Sequence, residues 1–363
     1  MEKGTACRAL FLFPFIVIGI PMDNKPSRKD VADKAGVSES TVSRALNDSP
    51  LITQAIKEKV RAAAKDLGYI PSRQATLFAR RHTKMLGFVL PSYDAFPPFS
   101  RSYFPALLDG VVLECDALDY SATIILDKKK SNTEDYYTLI RSKTVDGLLF
   151  AVTRADFKPF SGLREQGVPF VLINNYHAGL NSVDAIPETG MRKACEHAYS
   201  LGHRHWGYIT GDMQFCNAID RLAVFNRLVT EYDVQSSIVE GNFSKTSGYE
   251  GAQKLLMQPK RPSVIFCSSD RCAFGVLSQA AKMGIRVPQE LSVVGYDNLP
   301  PVRDVTPPLS TIDHPVTKLA RHATRLLISI LQGEREEPVS EWLETDFIVR
   351  ESTARYCPSP SDM

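Results

Sequence analysis

One stretch, Ser27 to Asn47 with the sequence SRKDVADKAGVSESTVSRALN, leaves the chain that carries it little freedom. Ser27 followed three residues later by Asp30 fits the N-cap of a first helix, and Ser38 fits that of a second. Val31, Ala32 and Ala35 recur at helical spacing and predict the buried stripe of the first helix; Val42, Ala45 and Leu46 do so for the second. Gly36 and Val37 supply the tight turn between them, which is helix-turn-helix spacing. A third helix is expected from Thr53, with Ile56, Val60, Ala63, Ala64 and Leu67 inward and Gly68 as its stop. Residues 22–84 hold thirteen Lys and Arg against seven Asp and Glu, a net of +6, although the whole chain of 363 residues carries only +2. A small basic head therefore precedes a larger, mildly acidic body.

The joint pattern DVAxxAGVSxxTVSRxLN, continued by Tyr69-Ile70-Pro71, resembles the LacI/GalR family of helix-turn-helix transcriptional repressors. In weaker form the resemblance runs from Ser27 to about Arg350. It implies that the second helix lies in the major groove of a palindromic double-stranded DNA operator, with Glu39, Ser40, Thr41, Ser43 and Arg44 as candidate contacts and Ser27 beside them. The chemistry suits the role: Arg44 can present a bidentate fork to guanine, and Ser40 can bond a base edge or a phosphate. Glu39 has two readings of equal weight, a favourable charge at the start of a helix dipole or an acceptor for cytosine N4. Ser72 to Arg81 aligns with the family's hinge helix, in which each subunit of a dimer inserts a leucine into the minor groove; here Phe78 holds that place. So short a helix is expected to order only when two copies meet on DNA. Phe78 would wedge a base step, with Ser72 nearby and Arg73, Arg80 and Arg81 neutralising phosphates.

After Lys84 the pattern changes to short apolar runs alternating with amphipathic stretches. The runs Leu86 to Leu90, Ala122 to Leu126, Gly147 to Val152 and Phe170 to Ile173 predict one set of parallel strands. Trp206 to Thr210, Val264 to Cys267 and Leu291 to Gly295 predict a second. The fold class expected is an all-α helix-turn-helix head followed by a two-lobed α/β effector domain of doubly wound parallel sheets, like periplasmic binding proteins. The resemblance implies chain crossings between lobes near Val183, Asp297 to Ile312 and Glu341. It also carries effector positions onto Tyr103 and Phe104 after the first strand, Asn174 after the fourth, Arg221 in IDRLAVF and Phe243 in GNFSKTSGY. Ser269 and Asp270 in CSSD and Asp297 in VVGYDN complete the set. Aromatic faces with convergent Arg, Asp and Asn suit a sugar or sugar derivative. Asp270 has a rival role as helix cap, and Phe243 as plain core. Ser269 and the segment Asp94 to Ser102 depart from common family sequences, so a phosphorylated sugar and a nucleobase are alternative ligands.

Seven scattered cysteines without a CxxC pair argue for reduced thiols and a cytoplasmic, nucleoid-associated protein. His203 and His205 beside Trp206 read as polar residues at a helix end rather than a metal site, since no further ligand lies at the needed spacing. No nucleotide, hydrolase or zinc-protease motif occurs, so neither catalysis nor a cofactor is expected. The apolar run Ala9 to Ile20 is too short to span a bilayer and lacks a cleavage site, which makes residues 1–21 a non-native extension and Met22 the expected start. The expected domains are 22–70, the DNA-binding head; 71–84, the hinge; 85–350, the effector-binding and dimerisation body; and 351–363, a tail without a leucine heptad. The whole reads as a ligand-responsive homodimeric regulator, a repressor of carbohydrate uptake or catabolism genes. The rival reading, an exported sugar-binding receptor of a transporter, leaves the basic head without a use.

Overall fold

The computed structural model describes residues 26–69, 83–91, 98–127, 132–335 and 338–357. The expected N-terminal extension, the start at Met22 and the hinge residues Ser72, Arg73, Phe78, Arg80 and Arg81 lie outside the described residues. The chain divides into two compact units, with the boundary in sequence between residues 81 and 82.

The first unit is built from α1 (Arg28–Ala35), α2 (Glu39–Leu46) and α3 (Gln54–Leu67). Ser27 and Asp30 form a reciprocal capping box, with the Ser27 amide donating to Asp30 Oδ2 at 2.7 Å. Ser38 caps α2 by accepting from the Thr41 amide. Gly36 and Gly68 end α1 and α3 at φ 61° and 64°, a left-handed conformation that costs glycine little. Val31, Ala32, Ala35, Val42, Ala45 and Val60 meet in a common core, against which Leu46, Ile56 and Leu67 pack. The small side chains of that core let three short helices, each too short to hold alone, approach closely.

The second unit has two sheets. The N-terminal lobe contains β1 (Met85–Pro91), α4 (Tyr103–Ala117), β2 (Ser121–Asp127), α5 (Thr133–Arg141), β3 (Gly147–Ala151), α6 (Pro159–Glu165), β4 (Phe170–Ile173) and β5 (Ser182–Ile186). The chain then crosses into the C-terminal lobe as α7 (Pro187–Ser200), β6 (His205–Ile209), α8 (Cys216–Glu231), β7 (Gln235–Val239) and α9 (Lys245–Leu256). That lobe continues with β8 (Val264–Cys267), α10 (Asp270–Lys282), β9 (Ser292–Asp297) and β10 (Ser310–Asp313). The chain returns to the first lobe with α11 (Val316–Leu331) and β11 (Ser340–Glu344), then ends in the second with β12 (Asp346–Ile348). Strand orders are β11-β5-β4-β3-β1-β2 and β12-β10-β9-β8-β6-β7. All pairings are parallel except β10 with β12. Each sheet has a hydrophobic cluster on both faces, as a doubly wound fold requires.

The crossings fall at Ile186, between Asp313 and Val316, and at Thr345. The second comes later than the sequence suggests, because β10 joins the sheet before the chain leaves. Thr345 stitches the first and third crossings: its hydroxyl donates to the Ile186 carbonyl at 2.7 Å and accepts from the Gly190 amide at 2.8 Å. The expected boundary at Arg350 also falls short of the described lobe. Ser352 donates to the Val293 carbonyl at 2.6 Å, and the Ala354 amide donates to Ser292. Strands β5, β7, β10, β11 and β12 escape the sequence pattern because they are short and carry Ser, Asp or Glu in place of an apolar run. Among the described residues, no helix is long and apolar enough to cross a membrane and no cluster of His, Cys, Asp and Glu could hold a metal ion.

Candidate functional site

On the head, α2 turns Val42 and Ala45 inward, which leaves Glu39, Ser40 and Arg44 exposed and Thr41 and Ser43 half-buried. Three of these candidates have side-chain partners within the unit, Thr41 through a 2.8 Å hydroxyl contact with Ser38. Glu39 Oε2 accepts from Arg28 Nε at 3.1 Å, a pairing absent from both sequence readings of Glu39, and Ser40 bonds Ser38 at 2.8 Å. Arg44 projects from the last turn of α2. Ser27 is exposed, and its hydroxyl belongs to the capping box.

In the second unit a cleft between the lobes encloses about 660 Å³ of empty space, part of it open to solvent. Its walls are strand ends: the segment after β1, Val152 after β3, the start of α8 after β6, Phe243 after β7, Ser269 after β8 and Asp297 at the end of β9. Several of these junctions hold non-glycine residues at positive φ: Val152 at 50°, Phe243 at 63° and Asp297 at 117°. Strain of this kind persists only where surrounding packing enforces it, and it aims the side chains into the cleft.

Arg221, 3% exposed on α8, is the centre of the site. Its Nη1 donates to the Ser268 carbonyl at 2.6 Å, and its guanidinium lies 3.6 Å above the centre of the Tyr296 ring. Asp297 Oδ1 is 3.8 Å from the same Nη1, beyond hydrogen-bonding distance, and that oxygen is buried with no hydrogen-bond partner. Burial pushes the Asp297 carboxyl up to about 7 against the pull of Arg221 and Arg101. Asp184, in the same interior, is pushed up to about 7 by burial against the pull of the Ala185 amide. His314, on the second crossing, is buried with neither ring nitrogen hydrogen-bonded. Burial, aided by the charge of Arg221, holds it well below the usual imidazole range. A donor-rich guanidinium and an acceptor carboxylate thus stand side by side between aromatic walls.

Seven of the eight expected effector residues line this cleft. Asn174 does not: it lies behind the wall and donates from Nδ2 to the Tyr103 hydroxyl at 2.8 Å, fixing that ring. Asp270 is not the cap of α10. Ser269 takes that role by accepting from the Cys272 amide, and its hydroxyl also donates to the Phe243 carbonyl. Asp270 is instead tied into the wall, accepting from the Leu299 amide at 3.0 Å and from the Thr311 hydroxyl at 2.5 Å. Phe243 is half-buried against Gly211 rather than core. Sequence reasoning missed Val152, Asn217, Arg271, Phe274, Leu299 and Pro300 in the lining. Asn217 and Phe274 had a legible signal, since they lie four residues from Arg221 and Asp270 on the same helical faces, and Arg271 follows Asp270 on α10; the others depend on loops that only the fold brings together. His203 is buried, with Nδ1 on Ser263 at 2.8 Å and Nε2 on the Ala354 carbonyl at 3.1 Å.

A three-helix head with an exposed second helix, joined in sequence to a two-lobed cleft, defines a DNA-binding regulator with a ligand-binding body. Comparison with known proteins agrees. A family described as bacterial regulatory proteins, lacI family, matches residues 28–72, and one described as a periplasmic binding protein-like domain matches residues 195–353. The HTH-type transcriptional repressor PurR of Escherichia coli is 34% identical over 336 residues, covering 90% of this chain and 96% of that one. The lac repressor dimer bound to operator and the anti-inducer ONPF is 25% identical with a TM-score of 0.80, over 91% of this chain and all of that one. A complex of the transcriptional regulator CelR with cellobiose is 27% identical with a TM-score of 0.69, over 90% and 100%. The chain belongs to the LacI family, and is a DNA-binding transcriptional repressor with a ligand-binding domain. The exported-receptor reading is not favoured, because the match to repressors includes the head.

Proposed function

We propose that this repressor works in the cytoplasm as a homodimer on a palindromic operator, and that a sugar or sugar derivative in the interlobe cleft controls genes of carbohydrate uptake or catabolism. The observation that carries the ligand class is the pair Arg221 and Asp297. An unmet acceptor 3.8 Å from a guanidinium matches two neighbouring hydroxyls, one accepting and one donating. Asn217 Oδ1, also without a partner, adds a further acceptor, and Phe243 and Tyr103 offer faces to a sugar ring. A nucleobase is the second reading, since the same donor and acceptor complement a lactam edge. The head would read DNA through Arg44, Ser40, Glu39, Thr41 and Ser43, with Ser27 at the first helix and Ser72, Arg73 and Phe78 in the hinge.

Ligand and operator would bias one equilibrium, so a ligand that weakens operator binding must bind the operator complex more weakly by the same factor, typically about 5- to 150-fold. A thermal-shift screen of monosaccharides, disaccharides, sugar phosphates and nucleobases identifies the ligand class, and operator affinity with and without the hit gives the sign of control. Arg44→Ala is expected to lose operator selectivity, about 1–3 kcal/mol, with ligand binding intact. Arg221→Ala should keep DNA binding and lose the ligand response. Equal phenotypes for the two variants, or no stabilisation by any sugar, would overturn the proposal.

A further inference from the structure

The lobes are fastened at the cleft mouth by a short segment of the N-terminal lobe, residues 98–102, which runs into α4. Three hydrogen bonds join it to three separate parts of the C-terminal lobe. Arg271 Nη1, on α10, donates to the Ser100 carbonyl at 2.8 Å. Ser102 Oγ donates to the Pro300 carbonyl at 3.1 Å, and Arg101 Nη2 donates to the Asn242 carbonyl at 3.4 Å. The donors come from both lobes and every acceptor is a main-chain carbonyl, so the contacts need no ligand to complete them. On another edge of the cleft the Ala155 amide donates to the Gln214 carbonyl at 2.8 Å, within an isolated antiparallel bridge between Arg154 and Phe215. This second junction is a backbone contact between loops of opposite lobes.

We propose that residues 98–102 form a latch that holds the lobes together and sets the fraction of molecules with an open cleft. The latch passes its position directly to the site, because Ser102 precedes Tyr103, whose hydroxyl is held by Asn174 and whose ring lies alongside His314 on the second crossing. From Tyr103 to Ala117, α4 spans about 22 Å at the helical rise, and it carries Val112 and Leu113 exposed near its far end. Glu114, buried on the same helix, is gripped by Arg321 and Arg325 of α11, so α4 is fixed to the lobe it belongs to. Opening the latch would therefore free the C-terminal lobe rather than α4. The proposal concerns the lobes alone and does not depend on which ligand the cleft accepts.

The Ala155 amide is the natural reporter, since its hydrogen bond exists only while the lobes are together. In full-length protein without ligand, hydrogen exchange at Ala155 is compared between the wild type and a Ser102→Ala/Arg271→Leu double variant, with β3 and β4 as internal controls. The latch predicts at least about tenfold faster exchange at Ala155, unchanged exchange in the two strands, and partial recovery when Ser102→Thr replaces Ser102→Ala. Unchanged exchange at Ala155 would overturn it. So would a parallel rise in β3 and β4, because the loss would then be of general stability.

Discussion

His203 illustrates how burial alone sets the behaviour of a single side chain. Its Nε2 lies 3.1 Å from the Ala354 carbonyl, to which it donates, and its Nδ1 lies 2.8 Å from the Ser263 hydroxyl, which donates to the neutral ring. Desolvation brings it down from the ordinary 6.5 to about 4. Because the folded value is the lower one, the unfolded chain takes up the proton first as pH falls. The stabilisation is present above 6.5 and is eroded from there toward 4, by about 2 kcal/mol at pH 5. In urea unfolding at pH 7 and pH 5, the wild type should lose that much more stability than His203→Gln; equal losses would mean that His203 titrates normally. The cleft shows the same principle in carboxyls, since Asp297 and Asp184 both rise to about 7 through burial. The sequence supplied the identities of Arg221 and Asp297, yet it could not supply their spacing, which depends on α8 and β9 meeting across the lobe.

Among the elements, α9 and α10 pack with their backbones in near contact. A Cβ added at Gly248 would fall well inside contact distance of the Cys272 carbonyl, and one at Gly275 would collide with the Lys245 carbonyl. Both glycines lie inside helices, where glycine alone costs stability; the pairing of the two helices gives them their purpose. Gly248→Ala is expected to force the helices apart, at a cost of about 1–3 kcal/mol in urea unfolding. It should also disturb the start of α10, where Ser269 and Asp270 form part of the cleft wall. An alanine variant of full stability would show that the contact can relax. By contrast, α1, α2 and α3 were legible in full from the sequence, because caps, turn glycines and apolar spacing are local signals. Edge strands β7, β11 and β12 were not, since a half-exposed strand carries no continuous apolar run.

For the whole molecule, the two-lobed body leaves apolar side chains on one side of the N-terminal lobe. Val112 and Leu113 on α4 are 50% and 56% exposed, and Ile124 and Leu126 on the adjoining edge strand β2 are 44% and 54% exposed. Such a cluster fits the surface through which the proposed homodimer would form, and a twofold dimer would present two heads to a palindrome. A Leu126→Glu variant should sediment as a monomer at concentrations where the wild type is dimeric, and its operator affinity should fall with it. A dimer that survives this change would place the interface elsewhere. The sequence by itself determined the head, the basic charge that precedes the acidic body, the alternation of strands and helices, and most of the residue types in the cleft, because periodicity, capping and motif spacing are encoded within a few turns of chain. Only the tertiary structure decided that Asn174 supports Tyr103 rather than lining the cleft, that Ser269 and not Asp270 caps its helix, and that residues 98–102 fasten one lobe to the other. Those outcomes rest on contacts between segments more than 25 residues apart, or on which of two neighbouring polar groups reaches a given amide, and no local pattern records either.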